Sequence, residues 1–515
     1  MVGKVYLVGA GPGDYKLLTL KAKECLEKAD VIVYDRLASK ECLRLGKASC
    51  EYINVGKASS EHTLPQNKIN ELLASKAEEG KEVVRLKGGD PYVFGRGGEE
   101  GAYLQERSIP FEVVPGITSA IGGLCYAGIP ITHRDVASSF HVMTGHFKEG
   151  SDEEQDFESL AKIKGTLVFL MGMANLEKIT SELIRYGKSK KTPVAIISWA
   201  TRYNQRVVEG NLENIVEQVK KHGMKAPALI VIGEVVSLRQ TLNFFENKPL
   251  FGKRIVVTRT RSQSSSLIHK IHDLGGKALE FPTIEMQKLE DNAKLRVAIK
   301  YLKDYTCLVF TSPNAVEVFF EALEDASLDS RSLAHLKIAA IGNSTNKALK
   351  KHGICADIMP PKAVSESLAD TLIEELTTSD YVLLPNSMIA RDHLAKVLHE
   401  FCKVDEIHIY NTVEAREEEN ASASQEQIKF ELSTNELLEG LEHGKIDYIT
   451  FTSSSIVHHF VNRIGRENLD KLAKTKLISI GEITTKTLEE YGMKVYKEAE
   501  KANMDELVLC MCDNK

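Results

Sequence analysis

Short apolar, β-branched runs alternate with stretches of helical periodicity along the whole chain. Lys4–Val8, Val31–Tyr34, Glu82–Leu86, Thr166–Leu170, Val194–Ser198 and Ala228–Ile232 read as strands in the first half. Arg254–Thr258, Cys307–Phe310, Lys337–Ile341, Tyr381–Leu384, Tyr448–Phe451 and Leu477–Ile480 continue the pattern in the second. Near-continuous apolar strands separated by helices imply parallel sheets covered on both faces, so the expected class is α/β throughout.

Turn residues divide this pattern. In Thr241–Lys253, TLNFFENKPLFGK, Pro249 and Gly252 stand just before a fresh strand, and 241–252 is expected to be a linker. Arg416–Gln427 is acidic and Ser/Ala-rich and reads as a solvated loop or helix start. Beyond the linker the chain repeats itself. CLVFTSPNAV at 307–316 matches YITFTSSSIV at 448–457, and IAAIGNSTNKALKKHG at 338–353 matches ISIGEITTKTLEEYG at 478–492. From Ser312 to Gly342 is 30 residues and from Ser453 to Gly481 is 28. Two such units in one order imply two similar lobes with a cleft between them.

A chain of 515 residues has room for three or four domains of about 100–200 residues. With 43% hydrophobic and 27% charged residues it is composed like a globular protein, which excludes a disordered, collagen-like or disulfide-scaffold chain. Net charge is −6, split as 33 basic against 31 acidic residues over 1–250 and 33 against 41 over 251–515. Neither half offers a basic field, so neither nucleic acid nor an anionic membrane is expected as a partner. An anionic ligand would have to meet local cations. No apolar run approaches the roughly 18–20 residues of a membrane span, and the chain enters its first strand without a secretory h-region, so a cytoplasmic location is expected. Nine scattered cysteines without a C-x-x-C pair read as reduced, mostly buried thiols, and His458 and His459 lack companion ligands, so no metal is expected.

Three glycine-rich turns follow strands in the first half. Val8-Gly9-Ala10-Gly11-Pro12-Gly13-Asp14 resembles a dinucleotide fingerprint, but Asp14 takes the place of its last glycine and Pro12 removes an N–H. Arg85-Leu86-Lys87-Gly88-Gly89-Asp90-Pro91 and Val114-Pro115-Gly116-Ile117-Thr118-Ser119-Ala120 are the others. Each alone is an ordinary turn or helix N-cap. In order with Asp35-Arg36-Leu37, Val55-Gly56-Lys57, GRGGEE at 95–100, GIPITHRD at 128–135, TGH at 144–146 and LMG at 170–172, they form a series. That series resembles the uroporphyrinogen-III C-methyltransferase family over residues 3 to about 240.

The resemblance implies a two-lobed tetrapyrrole methyltransferase fold with lobes 1–113 and 115–240, typically a homodimer. S-adenosylmethionine is implied as methyl donor in the cleft, against Pro12, Gly88, Gly89, Asp90, Val93, Thr118, Ser119, Met171 and Ala200. The implied reaction is methylation of two pyrrole β-carbons of uroporphyrinogen III to give precorrin-2. Asp35 occupies the family's position for the base and Lys57 that for a proton donor; without the resemblance they read as a helix N-cap and a surface lysine. The tetrapyrrole carries eight carboxylates, and Arg36, Lys57, Arg85, Arg96, His133 and Arg134 lie in or beside the motif loops, where bidentate arginine–carboxylate contacts are the expected chemistry.

The second half shows no nucleophile–base pair. What repeats is Thr311-Ser312 and Thr452-Ser453, hydroxyls and free N–H groups at a strand end opening a helix. Together with VVTR at 256–259, VSESL at 364–368, LLP at 383–385 and IYNT at 409–412, these motifs resemble uroporphyrinogen-III synthase over 253–515. The resemblance implies a two-lobed α/β fold with parallel sheets, one lobe being 253–283 plus 412–515 and the other 284–409. It implies ring closure of hydroxymethylbilane with inversion of the last ring, a task of holding the chain in one shape. Thr311, Ser312, Thr452 and Ser453 are expected to bind that substrate. Tyr410 matches the family's hinge tyrosine and is expected to help the hydroxyl leave as a general acid. Rival readings are a dinucleotide-dependent oxidoreductase, a methyltransferase fused to a non-catalytic bilobed sensor, and a methyltransferase for later corrin intermediates.

Overall fold

The computed structural model describes residues 2–56, 64–146, 156–259, 261–289, 292–389, 392–415 and 430–512. Lys57 and the acidic segment 416–427 fall outside them. Among the described residues, twenty strands form four sheets of five. The first joins β1 (Val5–Gly9), β2 (Val31–Tyr34), β3 (Glu51–Asn54), β4 (Val83–Lys87) and β5 (Phe111–Val114) in the order β3-β2-β4-β1-β5, all parallel. Its central strands are apolar on both faces because helices cover both; Val5, Leu7, Val83 and Leu86 are wholly buried.

The second sheet joins β6 (Phe140–Thr144), β7 (Thr166–Leu170), β8 (Pro193–Ser198), β9 (Arg206–Asn211) and β10 (Ala228–Ile232) in the order β6-β7-β10-β8-β9. Here the expectation of parallel sheets fails. Only β6 and β7 are parallel; β10 runs antiparallel to β7 and β8, and β8 to β9. The physical reason is the short loop 199–205 between β8 and β9, which is too short for the crossover that parallel neighbours require.

Beyond residue 250, β11 (Arg254–Val257), β12 (Lys277–Glu280), β18 (Tyr448–Phe451), β19 (Lys476–Ser479) and β20 (Val495–Glu498) make a parallel sheet ordered β12-β11-β18-β19-β20. The fourth sheet holds β13 (Ile284–Lys288), β14 (Cys307–Phe310), β15 (Lys337–Ala340), β16 (Tyr381–Ser387) and β17 (Lys403–Glu414), ordered β13-β17-β16-β14-β15. It is parallel except for β13, which pairs antiparallel with β17. That pairing carries β17 to Glu414, past the 409 edge expected for this lobe, because residues 411–414 bond to 284–287. The repeat is visible as β14–helix–β15–helix against β18–helix–β19–helix.

The segment 241–252 is packed rather than a free linker. Phe245 is buried against the Tyr126 ring at 4.8 Å, and Leu250 is wholly buried in the core of the third sheet. No described helix is long and apolar enough to cross a membrane.

Candidate active sites

Three turns of the first half meet at glycines. Gly11 and Gly89 exchange backbone hydrogen bonds at 3.2 and 2.8 Å. A Cβ on Gly116 would stand 2.3 Å from the Gly89 carbonyl, and one on Gly9 would stand 2.5 Å from the Gly116 Cα. Only glycine lets three strand ends close so tightly. Asp90 locks them: its Oδ2 accepts from Gly116 N at 3.0 Å and its Oδ1 from Tyr92 N at 2.8 Å. Val93 closes the same turn, donating its N–H to the Asp90 carbonyl.

Helix Ser119–Tyr126, opened by Thr118, gathers the rest. A Cβ on Gly89 would lie 3.7 Å from the Thr118 Cα, one on Gly122 would lie 2.9 Å from Pro12, and one on Gly123 would lie 3.0 Å from the Ala200 Cβ. Met171 follows β7 with its side chain 55% exposed. Thus Pro12, Gly89, Asp90, Thr118, Ser119 and Ala200 come together, and Gly88 adjoins them. Among the described residues, seven that are not glycine have positive φ; five of them, Phe94, Arg96, Met171, Trp199 and Thr201, lie in or beside these loops. Left-handed backbone costs energy outside glycine and concentrates where a site dictates geometry.

Some participants were not singled out as site residues by the sequence. Asp14, the residue that breaks the dinucleotide pattern, joins the two lobes: its N–H donates to Thr201 Oγ1 at 2.9 Å, and Tyr126 donates to its Oδ2 at 3.1 Å. Arg202 donates to the Leu37 carbonyl at 3.1 Å from the opposite lobe.

Asp35 follows β2. Its Oδ1 accepts from Leu37 N and Ala38 N at 3.0 and 3.3 Å, and its Oδ2 faces Arg85 at 3.3 Å, with the side chain 26% exposed. Behind it lies a buried charge network. Glu100, wholly buried, holds Lys87 at 2.8 Å and Arg85 at 3.3 Å. Burial, then the neighbouring Arg85, pushes the Lys87 ammonium below its ordinary value. Arg85, which the sequence offered as a substrate cation, lies inside, between Asp35 and Glu100.

The other expected cations differ in placement. Arg36 is exposed beside Asp35, and Arg96 is exposed with its Nε and Nη2 donating to Glu99 at 2.8 and 2.6 Å. His133 accepts from Asp135 N, and Arg134 is exposed, on a segment anchored by Thr166 at the end of β7 opposite Met171. Among the described residues no hydrogen bond or ion pair joins these two to the donor loops.

In the second half both hydroxyl loops cap helices at the C-terminal ends of parallel strands. Ser312 accepts from Ala315 N at 3.0 Å and opens helix Pro313–Asp325; Ser453 accepts from Ile456 N at 3.3 Å and opens Ser454–Ile464. Thr311 donates to Asn386 at 3.1 Å, and Thr452 precedes Ser453 at the end of β18. Tyr410, buried on β17, lies 2.9 Å from the Ser312 hydroxyl. Burial pushes its phenol above the ordinary value, against hydrogen bonds to Ser312 and Ser387 that lower it. A buried phenol kept protonated can donate to a departing hydroxyl. Gly342 and Gly481 open the next helix of each repeat, and a Cβ on Gly481 would meet nothing within 4 Å.

Comparison with known proteins follows the same division. The family model of tetrapyrrole (corrin/porphyrin) methylases matches residues 4–216, and that of uroporphyrinogen-III synthase HemD matches 265–508. The porphyrin biosynthesis protein HemD of Ruminiclostridium josui is 39% identical over 507 residues, 98% of this chain and 97% of that protein. The uroporphyrinogen-III C-methyltransferase of Bacillus subtilis is 44% identical over 360 residues, 70% of this chain and 74% of that protein. The crystal structure of uroporphyrin-III C-methyl transferase from Thermus thermophilus complexed with S-adenyl homocysteine is 41% identical over 46% of this chain and 100% of that one, with a TM-score of 0.40. With one family over each half and a relative spanning both, the chain belongs to the family in which a tetrapyrrole methylase is fused to a uroporphyrinogen-III synthase.

Proposed function

We propose that the second half closes hydroxymethylbilane to uroporphyrinogen III with inversion of the last ring, and that the first half methylates this product twice to precorrin-2. The observation that carries the reading is the meeting of Gly9, Gly89, Gly116 and the Thr118 helix start, with left-handed Phe94 and Arg96 beyond Gly89 and left-handed Met171, Trp199 and Thr201 after β7 and β8. The residues fit S-adenosylmethionine. Glycine turns leave backbone groups open for an adenosine and a methionine tail, Asp90 offers a carboxylate to its amine, and Met171 and Ala200 give apolar walls. When bound, the donor supplies an electrophilic methyl group. Asp35 is read as the acceptor of the pyrrole N–H proton, which makes the ring carbon nucleophilic. Lys57, outside the described residues, is read as the proton donor. Arg36 and Arg96 are read as partners of substrate carboxylates, and His133 and Arg134 as such only in an arrangement that brings their segment nearer.

In the second half, Thr311, Ser312, Thr452 and Ser453 are read as holding the linear tetrapyrrole at two helix starts, and Tyr410 as the acid for the leaving hydroxyl. The units are read as 1–240 and 253–515, the protein as cytoplasmic, and the chain as a homodimer through its first half. The direct test supplies preformed uroporphyrinogen III with methyl-labelled S-adenosylmethionine and weighs the product. Two labelled methyls are expected. Label transfer to no tetrapyrrole would overturn the methyltransferase reading. A second reading, the oxidoreductase, is disfavoured by Asp14, whose carboxylate and N–H are spent joining the lobes.

A further inference from the structure

The turn that carries Asp35 runs into a helix of one turn, Lys40–Leu43. So short a helix is not stable by itself, and something must hold it. Cys42 and Leu43 anchor it inward. Its outer residues, Glu41 and Arg44, reach into the other half of the chain. Glu41 pairs with Lys277 and Arg44 with Glu280, both on β12. The Arg44 guanidinium also lies 4.4 Å over the Phe430 ring.

This contact is built rather than incidental. β12 is an edge strand of the third sheet, and the helix meets it through these two ion pairs. The charges are reciprocal: acid then base on the helix, base then acid on the strand. A shifted register would oppose like charges. Glu280 is 8% exposed, and a carboxylate buried so deeply needs a cation; Arg44 supplies it from across the interface. Around this core, Lys16 pairs with Asp273, and the Tyr15 ring lies 5.8 Å from His272.

The held segment leads straight to the reacting groups. Glu41 accepts from Ser39 at 2.5 Å. Leu37, two residues earlier, packs on the donor loop; a Cβ on Gly88 would stand 2.7 Å from the Leu37 Cβ. The N–H groups of Leu37 and Ala38 fix the Asp35 carboxylate. On the other side β12 runs through Phe281, Pro282 and Thr283 into β13, the crossing between the two synthase lobes.

We propose that the synthase half positions the methyltransferase's catalytic turn, with Lys277 and Glu280, acting through Glu41 and Arg44, as positioning residues for methyl transfer. The proposal rests on reading the first half as the methyltransferase. Burial alone would raise the Glu41 carboxyl, yet the Lys277 charge and hydrogen bonds from Lys277 and Ser39 bring it down to about 2, in keeping with a preformed ion pair.

The test uses the full chain with preformed uroporphyrinogen III and S-adenosylmethionine, and assays the synthase step separately on hydroxymethylbilane. Arg44→Glu and Glu280→Arg are each expected to lower kcat for methyl transfer about tenfold while the donor KM stays within about twofold, and the double reversal to recover most of the rate. A purely structural contact would lower synthase rate and donor affinity together with methyl transfer. Single variants with unchanged kcat, or a double variant no better than the singles, overturn the proposal. The charge-removing Glu41→Gln and Lys277→Met carry the same test if the reversals do not fold; a kcat loss is expected, and unchanged kcat overturns it. A wild-type chain that leaves uroporphyrinogen III unmethylated removes the underlying reading instead, so the two failures are distinct.

Discussion

The hydroxyl of Ser312 lies 2.9 Å from the phenol of Tyr410, tying the first hydroxyl loop to the strand that crosses between the synthase lobes. One hydrogen bond thus links the capped start of helix Pro313–Asp325 to β17. Because burial raises the phenol, Tyr410 stays protonated through about pH 9. Tyr410→Phe is expected to slow uroporphyrinogen III formation by up to about 10²-fold, and Ser312→Ala by less. The uninverted isomer should rise in proportion, because the free chain closes unaided. Rates that fall between neutral pH and about pH 9 in the wild type would argue against a phenolic donor.

Gly116 is expected to tolerate no side chain. A Cβ would overlap the Gly89 carbonyl at 2.3 Å and the Gly9 Cα at 2.7 Å, both backbone, so neither can swing aside. Gly116→Ala should part the turns and weaken S-adenosylmethionine binding more than tenfold by calorimetry, while the synthase rate holds. Wild-type donor affinity in that variant would remove the three-turn cradle from the site.

Glu100 neutralises two buried cations, Arg85 and Lys87, and shares a hydrogen bond with Gln66 at 3.1 Å. Glu100→Gln leaves both cations with too little negative charge in a dry interior. The expected cost to the first half is about 3–5 kcal/mol, read as a lower denaturation midpoint for that half alone. A loss below about 1 kcal/mol would mean that water or other groups already stabilise Lys87 and Arg85.

Acid should loosen the contact between halves in two stages. Burial lowers the His272 imidazole from 6.5 to about 4, so the unfolded chain takes up a proton there before the folded one does. Stability is therefore full above 6.5 and falls as pH drops towards 4. Glu41, brought from 4.5 to about 2, adds a second fall between those values in the same direction. The groups facing His272 include Lys277, Glu41, Asp14 and Lys16, and their charges are retained in His272→Phe. That variant should flatten the thermal midpoint above about pH 4.5 and leave the lower fall. An unchanged slope would place the titration elsewhere.

Much of this was legible in the sequence, and the exceptions have physical reasons. Apolar central strands such as Val31–Tyr34 and Cys307–Phe310 announce themselves because both faces are buried. β9, RVVEGN, and β20, VYKE, lie at edges and carry charges, so they do not resemble buried strands. The antiparallel pairing of the second sheet is set by a loop length rather than by strand composition. In the site, glycine turns and hydroxyl caps leave marks because their backbone geometry restricts the residue. Pairs such as Asp14 with Thr201, Glu100 with Lys87 or Glu280 with Arg44 leave none, because each residue alone is an ordinary charge or hydroxyl. Arg85 shows the same limit: its loop pointed to substrate, while its strand position places it inside, beside Asp35 and Glu100.

The most direct measurement gives the full chain hydroxymethylbilane and S-adenosylmethionine together and determines both isomer and mass of the product. A type III tetrapyrrole carrying two added methyls is the expected result. Unmethylated type I product would contradict the synthase half, and unmethylated type III product would contradict the methyltransferase half.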